Sequence, residues 1–231
     1  MKRFYTAVTV AETEGGYRVL LDGRAIKTAA GREQIAASRA LADALAAEWS
    51  SQGEDIDPRL FRYRDLADYA IDIAGPQQGE TIDKLLAFAE TDTLCYRADP
   101  DEALYQRQQD VWEPLLAAFE AREGITLHRI SGIMHRAQPT ETIEALRGRL
   151  RALDNFTLAG IQAATSLSAS VCIGFTMLED GADTAALWDA ANLEELWQAD
   201  LWGRDYEAED RRAKRTADFR NAAQFLTLLR G

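Results

Sequence analysis

A chain of 231 residues, 47% of them hydrophobic and 9% aromatic, is long enough to bury a sizeable core, so we expect a folded globular protein of one large or two small domains. Its formal charge of -12 argues against nucleic-acid binding, which requires a concentrated basic surface, and against an anionic membrane surface. The same charge permits a protein partner that presents a basic or apolar face.

The first third of the chain alternates apolar and polar residues as β-strands do. Residues 4–10 and 17–21 both have a period of two, with a glycine-containing turn between them. Asp22-Gly23 predicts a second tight turn, because this dipeptide readily adopts the backbone angles of hairpin turns. Residues 26–28 are predicted to extend the same sheet.

The rest of the chain is predicted to be mainly helical. Ser38 caps a first helix whose apolar residues repeat every four positions, and helical spacing becomes continuous from about Asp65. Residues 155–178 carry no formal charge, but their hydroxyl and amide side chains favour one buried helix over a membrane span. Two further helices are predicted at about residues 184–202 and 206–229.

These patterns predict an α+β protein with two parts. Residues 1–65 would form a small N-terminal β-rich domain with one helix, and residues 66–231 a larger all-α helical domain. Met1 to Tyr5 lead directly into the first strand, without the apolar core of a signal peptide or the Arg/Ser-rich helix of a mitochondrial presequence. We therefore expect a bacterial cytoplasmic protein, or a mature mitochondrial matrix form that has lost its targeting segment.

Sequence patterns for cofactors and metals are missing. The chain has neither a G-x-G-x-x-G nor a Walker loop, so we expect no nucleotide or other cofactor. Cys95, Cys172, His128 and His135 lack the paired spacing of zinc ligands. The cysteines are therefore interpreted as reduced core thiols, and no metal is expected.

The segment from Leu193 to Gly203 combines acidic and aromatic residues near the end of a predicted helix. Trp188, Trp197 and Trp202 cannot all be buried on one narrow helical stripe. Because tryptophan is enriched in protein-binding hot spots, the segment is interpreted either as a protein-binding surface or as a solvated helix face. The alternative function is a hydrolase with carboxylates from Glu194, Glu195 and Asp200, assisted by His128 or His135. Trp49 and Trp112 are interpreted as core anchors, since each lies on an apolar ridge.

Short segments spread over nearly the whole chain match the motifs of one known family in order and spacing. They are Arg3-Phe4-Tyr5, Leu21-Asp22-Gly23-Arg24, Glu48-Trp49, residues 91–97, residues 112–116, and the E-x-x-Q-x-x-x-W-G pattern at Glu195, Gln198, Trp202 and Gly203. With these motifs the chain resembles the Atp12 family, chaperones that assemble the F1 sector of ATP synthase.

The resemblance implies a non-enzymatic chaperone with a β-rich part followed by a helical part. It also implies transient binding of the free α subunit of F1, with shielding of the surface that later contacts the β subunit. We expect a monomer that binds no nucleic acid and does not insert into a membrane. The partner-binding residues are then expected to be Glu195, Gln198, Trp202, Glu194 and Trp49, and Glu195 matches the family's functionally important glutamate.

Two places depart from the family pattern. Ala29 stands where the family commonly has a proline, and residues 61–64 replace a Met-Pro-x-Thr run. We expect the local loop geometry to differ at both. If the second loop touches the client, Phe61, Arg62 and Tyr63 would alter which α subunit is recognised.

Overall fold

The computed structural model describes residues 1–132, 136–203 and 206–231, except for the side chains of residues 206–209. A small strand-rich N-terminal region precedes a mostly helical remainder, so the predicted α+β class is confirmed. The strands are β1 (Val8–Thr13), β2 (Gly16–Leu21), β3 (Arg24–Ala25), β4 (Tyr96–Arg97) and β5 (Ile130–Ser131). The helices are α1 (Arg39–Ser50), α2 (Arg62–Tyr69), α3 (Gln78–Glu90), α4 (Ala103–Glu123), α5 (Thr140–Arg151), α6 (Asn155–Ser168), α7 (Val171–Thr176), α8 (Thr184–Ala191), α9 (Leu193–Trp202) and α10 (Tyr206–Leu229).

The chain packs into two compact units. Unit 1 consists of residues 1–78, 154–160 and 221–231, and unit 2 consists of residues 79–153 and 161–220. The sequence instead predicts a β-rich domain over residues 1–65 and a helical domain over residues 66–231. A division by packing does not test separate folding, so that boundary stays a prediction.

Unit 1 contains an antiparallel sheet with the strand order β1-β2-β3. Val8 pairs with Leu21 at one end of the β1–β2 hairpin, and Thr13 pairs with Gly16 at the other. Asp22 and Gly23 both have positive φ, at 48° and 77°, as the predicted hairpin turn requires. The third strand is shorter and earlier than predicted, although the backbone N–H of Ile26 still donates to Val19 O at 3.2 Å.

Two acidic residues fix the chain around α2. The carboxylate of Glu48, at the end of α1, accepts hydrogen bonds from the backbone N–H groups of Arg62, Tyr63 and Arg64 at 2.7–2.9 Å. These donors open α2 and have no partner within that helix, so Glu48 caps α2 from another helix. Asp68 accepts from the N–H of Ala29 at 3.0 Å. A proline at position 29 would lack this donor.

The core of unit 1 lies between the sheet, α1 and α2. Ser38 caps α1 as predicted, since its hydroxyl accepts from Leu41 N at 3.0 Å. The Trp49 ring lies 5.6 Å from the Tyr5 ring and 4.5 Å from the Phe61 ring. The buried members of this core are Tyr5, Val19, Leu21, Ala36, Leu41, Ala42, Leu45, Trp49, Ile56, Phe61, Ala67, Ala70, Ala74, Phe156, Ala159 and Phe225.

Unit 2 is organised around α4. Trp112 is fully buried and its indole Nε1 donates to Ala190 O at 2.8 Å. Phe119, also fully buried, lies 5.6 Å from Phe175 between ring centroids. Gly124 closes α4 with a left-handed backbone, φ +67°, as predicted. The buried positions of Trp49 and Trp112 confirm the interpretation of both as core residues.

The uncharged segment 155–178 forms two helices rather than the single predicted helix. Ala169 interrupts it with φ +51°, and its carbonyl accepts from the backbone N–H of Thr93 at 3.0 Å. Ser170 then caps α7 through a bond from Ile173 N to its hydroxyl. The break is therefore stabilised by a distant part of the chain. Among the described residues, no helix combines the length and apolarity needed to cross a bilayer.

The side chain of Asp92 binds the residues that directly follow this break. Its carboxylate accepts from Leu94 N, Ser170 Oγ and Cys172 N at 3.0–3.1 Å. Burial raises the pKa of Asp92 to about 6, although these bonds act in the opposite direction. Cys95 and Cys172 are buried free thiols, as predicted.

The predicted helix 184–202 is also divided in two. Asn192 has a non-helical backbone and its side-chain Nδ2 donates to Trp188 O at 2.7 Å. This amide competes with the backbone for the carbonyl at the end of α8. The helix is therefore interrupted at Asn192, and α9 carries Glu194, Glu195 and Trp202 separately from α8.

Candidate functional site

The candidate site is the exposed face of α9. Glu194, Glu195, Gln198, Leu201 and Trp202 are all exposed. At 3.6 residues per turn these five positions fall within an arc of about 120° on the helix. We call them the α9 face. The structure therefore brings four of the five predicted partner-binding residues together and adds Leu201.

The α9 face is unusual because its apolar residues are left in solvent. Trp202 is 80% exposed and Leu201 is 59% exposed, whereas Leu193 on the opposite side is buried. Trp188 in α8 is buried and lies 4.7 Å from Phe219 between ring centroids. The inference that Trp188, Trp197 and Trp202 cannot share one buried stripe is thus confirmed.

A side-chain hydrogen bond from α4 holds α9 at its first turn. The amide Nε2 of Gln108 on α4, which is fully buried, donates to Glu194 Oε1 at 2.8 Å. The amide oxygen of Gln108 accepts from Ala98 N at 2.8 Å. The carboxylates of Glu194 and Glu195 also lie in the first turn of α9, where the helix dipole favours negative charge.

Gln108 is also connected to a network of charged side chains through Arg97. The buried guanidinium of Arg97 donates to Gln108 O at 2.9 Å and to Glu113 at 3.1 Å. Arg129 bonds both Glu113 and Glu120. Its hydrogen bonds hold the pKa of Glu113 below the ordinary value. Because these charges are paired, the network gives α9 a fixed support rather than a reactive group.

Gly203 ends the face. Its backbone has φ +89° and ψ 170°, and its N–H donates to Ala199 O at 2.9 Å. Such angles are strained for any residue with a side chain. The glycine that completes the sequence motif therefore stops α9 directly after the exposed Trp202.

Trp49, the fifth predicted site residue, belongs to unit 1. It is 9% exposed, and its backbone carbonyl accepts from the Tyr5 hydroxyl at 2.7 Å. Its neighbour Glu48 caps α2, so this motif pair has a structural role. A partner contact for Trp49 stays a prediction.

The two carboxylates Glu195 and Asp200 of the hydrolase alternative do not lie on one face of α9. Asp200 lies about 140° around the helix from Glu195, so these two carboxylates face different directions. His128 Nδ1 lies 3.2 Å from Ala137 O, and His135 is outside the described residues. Within residues 1–132, 136–203 and 210–231, no three His, Cys, Asp or Glu side chains are grouped to hold a metal ion.

Sequence reasoning missed Leu201 and Gln108. Leu201 follows Glu194 by seven positions, so helical periodicity could have placed it on the same face. Gln108 gives no comparable signal, because its contact with Glu194 joins residues 86 positions apart.

The α9 face has the composition of a protein-binding surface. An exposed tryptophan and leucine beside carboxylates on a rigid helix suit a partner with an apolar surface bordered by Lys or Arg. A surface of this kind is typical of proteins that act by binding another protein.

Comparisons with known proteins identify the family. A sequence model described as ATP12 chaperone protein matches residues 2–120. The chain belongs to this family, which consists of chaperones for ATP synthase assembly. Protein atp12, mitochondrial, of Schizosaccharomyces pombe is 26% identical over 214 residues, covering 87% of this chain and 74% of the relative.

Solved structures agree with this assignment over nearly the whole chain. The crystal structure of Atp12 from Paracoccus denitrificans has a TM-score of 0.93 at 32% identity, covering 99% of this chain and 98% of that one. A candidate chaperone from Agrobacterium tumefaciens has the same TM-score at 38% identity, covering 99% and 86%. The α9 face lies beyond the region that the family model matches but within these structural alignments.

Proposed function

We propose that this chaperone binds the free α subunit of F1 through the α9 face and covers the surface that will later contact the β subunit. The observation that supports this proposal is the exposure of Trp202 and Leu201 beside Glu194 and Glu195 on a helix anchored by Gln108. Single exposed apolar residues are common, but a tryptophan and a leucine next to acids form a typical protein-binding pattern.

The physical need for such a protein lies in the client. An unassembled subunit exposes an interface that is apolar enough to aggregate. A transient cap has to bind that interface less stably than the final neighbour does, so that the neighbour displaces it. Binding energy rather than bond chemistry is then the function, and no catalytic group is required.

The α9 face divides this task between two kinds of contact. The indole of Trp202 would bury in an apolar depression of the client and provide most of the affinity. Glu195 would pair with a client Lys or Arg at the rim, which gives orientation and a faster encounter more than affinity. Such a pairing also agrees with the chain's charge of -12.

The experiment is refolding of the cognate F1 α subunit, followed by light scattering with and without an equimolar amount of this protein. We expect suppressed aggregation and release of the α subunit when the β subunit is added. Unchanged scattering together with failure of the two proteins to co-elute would contradict the proposal.

A charge-matched pair of variants tests the surface itself. Glu195→Lys and Asp200→Lys make the same charge change on opposite sides of α9. We expect Glu195→Lys to keep the fold, by circular dichroism, and to bind the α subunit at least about tenfold more weakly, while Asp200→Lys binds like the original protein. Equal loss in both variants would remove Glu195 from the site and leave only a general charge effect.

We also propose that the protein acts as a monomer in the bacterial cytoplasm, or in the mitochondrial matrix for a mature eukaryotic form. Its relatives include both a mitochondrial protein and bacterial ones. Sedimentation of the purified chain alone and with the α subunit would test a stoichiometry of one to one.

A further inference from the structure

Unit 1 contains an open groove at the end of its sheet. The groove has a volume of about 500 Å³, within the range of about 300–1,000 Å³ that small-ligand sites occupy. It is formed by the segment before β1, the β2–β3 turn with the residues after it, and the end of α1. Its lining residues are Phe4, Tyr5, Leu21, Asp22, Arg24, Ala25, Ile26, Lys27 and Trp49.

One side of the groove is a wall of three aromatic rings. Phe4 lies edge-on to Tyr5 with 5.3 Å between ring centroids, and Tyr5 lies edge-on to Trp49 at 5.6 Å. The Tyr5 hydroxyl is fixed to Trp49 O, so the two inner rings are held rigidly. Phe4 is nevertheless 64% exposed. The wall therefore offers a pre-formed apolar surface that is only partly covered.

The groove lining also includes two exposed cations, Arg24 and Lys27. Neither Arg24 nor Lys27 has a side-chain hydrogen bond or ion pair with any described residue. The one carboxylate in the lining, Asp22, accepts from Thr6 N, Thr6 Oγ1 and Ala7 N at 2.8–3.2 Å and also interacts electrostatically with Arg24. Arg24, Lys27 and Asp22 together give the lining one net positive charge. Although the whole chain has a charge of -12, the lining of this groove is locally positive and therefore attracts carboxylates.

We propose that the groove binds an extended peptide segment in which an apolar side chain precedes two acidic residues. The apolar side chain packs against Phe4 and Trp49, and the carboxylates pair with Arg24 and Lys27. An anionic membrane is a poorer fit as the occupant, because recognition of a lipid surface requires a cluster of about 4–8 Lys or Arg and this lining has two cations. This proposal is independent of the α9 face and of the identity of the client.

The test uses a synthetic peptide, acetyl-Gly-Phe-Leu-Asp-Glu-amide, and its neutral counterpart ending in Asn-Gln-amide. The readout is the indole N–H signal of Trp49 in nitrogen-15 NMR spectra of the full chain, assigned by its loss in Trp49→Phe. Trp49 lines the groove, so a ligand packed against its ring changes the ring-current environment of its indole N–H signal. We expect the acidic peptide to shift this signal in a saturable way and the neutral peptide to bind at least about fivefold more weakly.

Variants separate the groove from general charge effects. Arg24→Glu/Lys27→Glu reverses both cations of the lining, and Lys84→Glu/Arg151→Glu makes the same charge change at exposed positions of unit 2. We expect at least about a fivefold loss of peptide affinity in the first variant and none in the second. The proposal is overturned if the acidic peptide causes no shift, if both peptides bind equally, if both double variants lose equally, or if phosphatidylglycerol vesicles shift the Trp49 signal and the peptide does not.

Discussion

The side-chain amide of Gln108 on α4 donates a 2.8 Å hydrogen bond to the carboxylate of Glu194 on α9. The same amide accepts from Ala98 N, and the Gln108 carbonyl accepts from Arg97. One buried side chain therefore fixes both the strand that precedes α4 and the first turn of the proposed binding helix. The α9 face is held by the core of unit 2 and does not depend on its own short helix for order.

Replacement of this amide is expected to destabilise the protein. Gln108→Leu leaves Ala98 N and Glu194 without their partner and should lower the free energy of unfolding by about 1–3 kcal/mol. Urea denaturation measures the change. Gln106→Leu, at an exposed position of the same helix, is the control and should change it by less than about 0.5 kcal/mol. Equal effects would mean that the Gln108 bonds contribute little.

Removal of the exposed indole is expected to affect binding without affecting stability. Trp202→Ala should leave the free energy of unfolding within about 0.5 kcal/mol, because the side chain is 80% exposed. It should weaken binding to the F1 α subunit by about 30-fold, the loss of about 2 kcal/mol that defines a hot spot. Titration calorimetry measures the affinity. Leu60→Ala, an exposed apolar residue of unit 1, is the control, and an equal loss there would contradict a specific role for Trp202.

Glu48 is expected to be needed as a carboxylate. Its two oxygens accept three backbone N–H groups, so in Glu48→Gln the new NH2 group faces a donor and at least one bond is lost. The free energy of unfolding should fall by about 1–3 kcal/mol, measured by urea denaturation. Glu54→Gln, at an exposed position, makes the same chemical change and should have almost no effect. A neutral result for Glu48→Gln would show that α2 does not need this cap.

Asp92 is expected to make stability depend on pH. Its pKa is about 6 in the folded protein against an ordinary value of 3.8, so the folded state binds the proton more tightly. The stabilisation is fully present below about pH 3.8 and is lost as the pH rises through 6, a total of about 3 kcal/mol. Urea unfolding of the original protein and of Asp92→Asn at several pH values from 4 to 7.5 measures it.

The difference between these two proteins isolates the group, because other titrating residues are common to both. Asn at position 92 loses an acceptor at every pH but does not titrate. We expect the stability of the original protein relative to Asp92→Asn to fall as the pH rises. A constant difference across this range would mean that Asp92 titrates at its ordinary pKa.

Gly174 is expected to tolerate no side chain. A Cβ at this position of α7 would overlap Thr165 Oγ1 and lie 3.3 Å from Ile161 O on α6. Gly174→Ala should therefore cost about 1–3 kcal/mol by overpacking. Gly148→Ala in α5 is the control, since its Cβ would meet nothing within 4 Å, and it should stabilise the helix by about 0.5–1 kcal/mol. Thermal unfolding of both measures these effects, and stabilisation in both would contradict the close packing of α6 and α7.

The sequence was informative wherever the cause of a structure is local. The hairpin turn at Asp22-Gly23, the Ser38 cap and the Gly124 stop each depend on a few neighbouring residues, and all are found. The exposure of Glu195 and Trp202 also follows from helical periodicity. The helix break at Ala169 was missed for the opposite reason. The carbonyl of Ala169 bonds to a residue 76 positions away, and no local pattern indicates such a partner.

The same distinction applies to the candidate site. Its residues could be named from the sequence motif, but the role of Glu48 as a cap and of Gln108 as a support could not. Both act across 14 or more positions of the chain through a geometry that only packing creates. The sequence motif therefore predicts which residues form the candidate surface, but it does not predict which residues support them.

Unit 1 combines segments that lie far apart in the sequence, which affects how its core forms during synthesis. Ser38 donates its hydroxyl to the carbonyl of Leu228, and Phe225 belongs to the same buried core as Trp49. At about 5–20 residues per second, the ribosome needs roughly 10–40 s to reach Leu228 after it has added Ser38. The core around Trp49 therefore cannot be completed until Phe225 has been translated, and a nascent chain of this chaperone leaves that part of the core open during the interval.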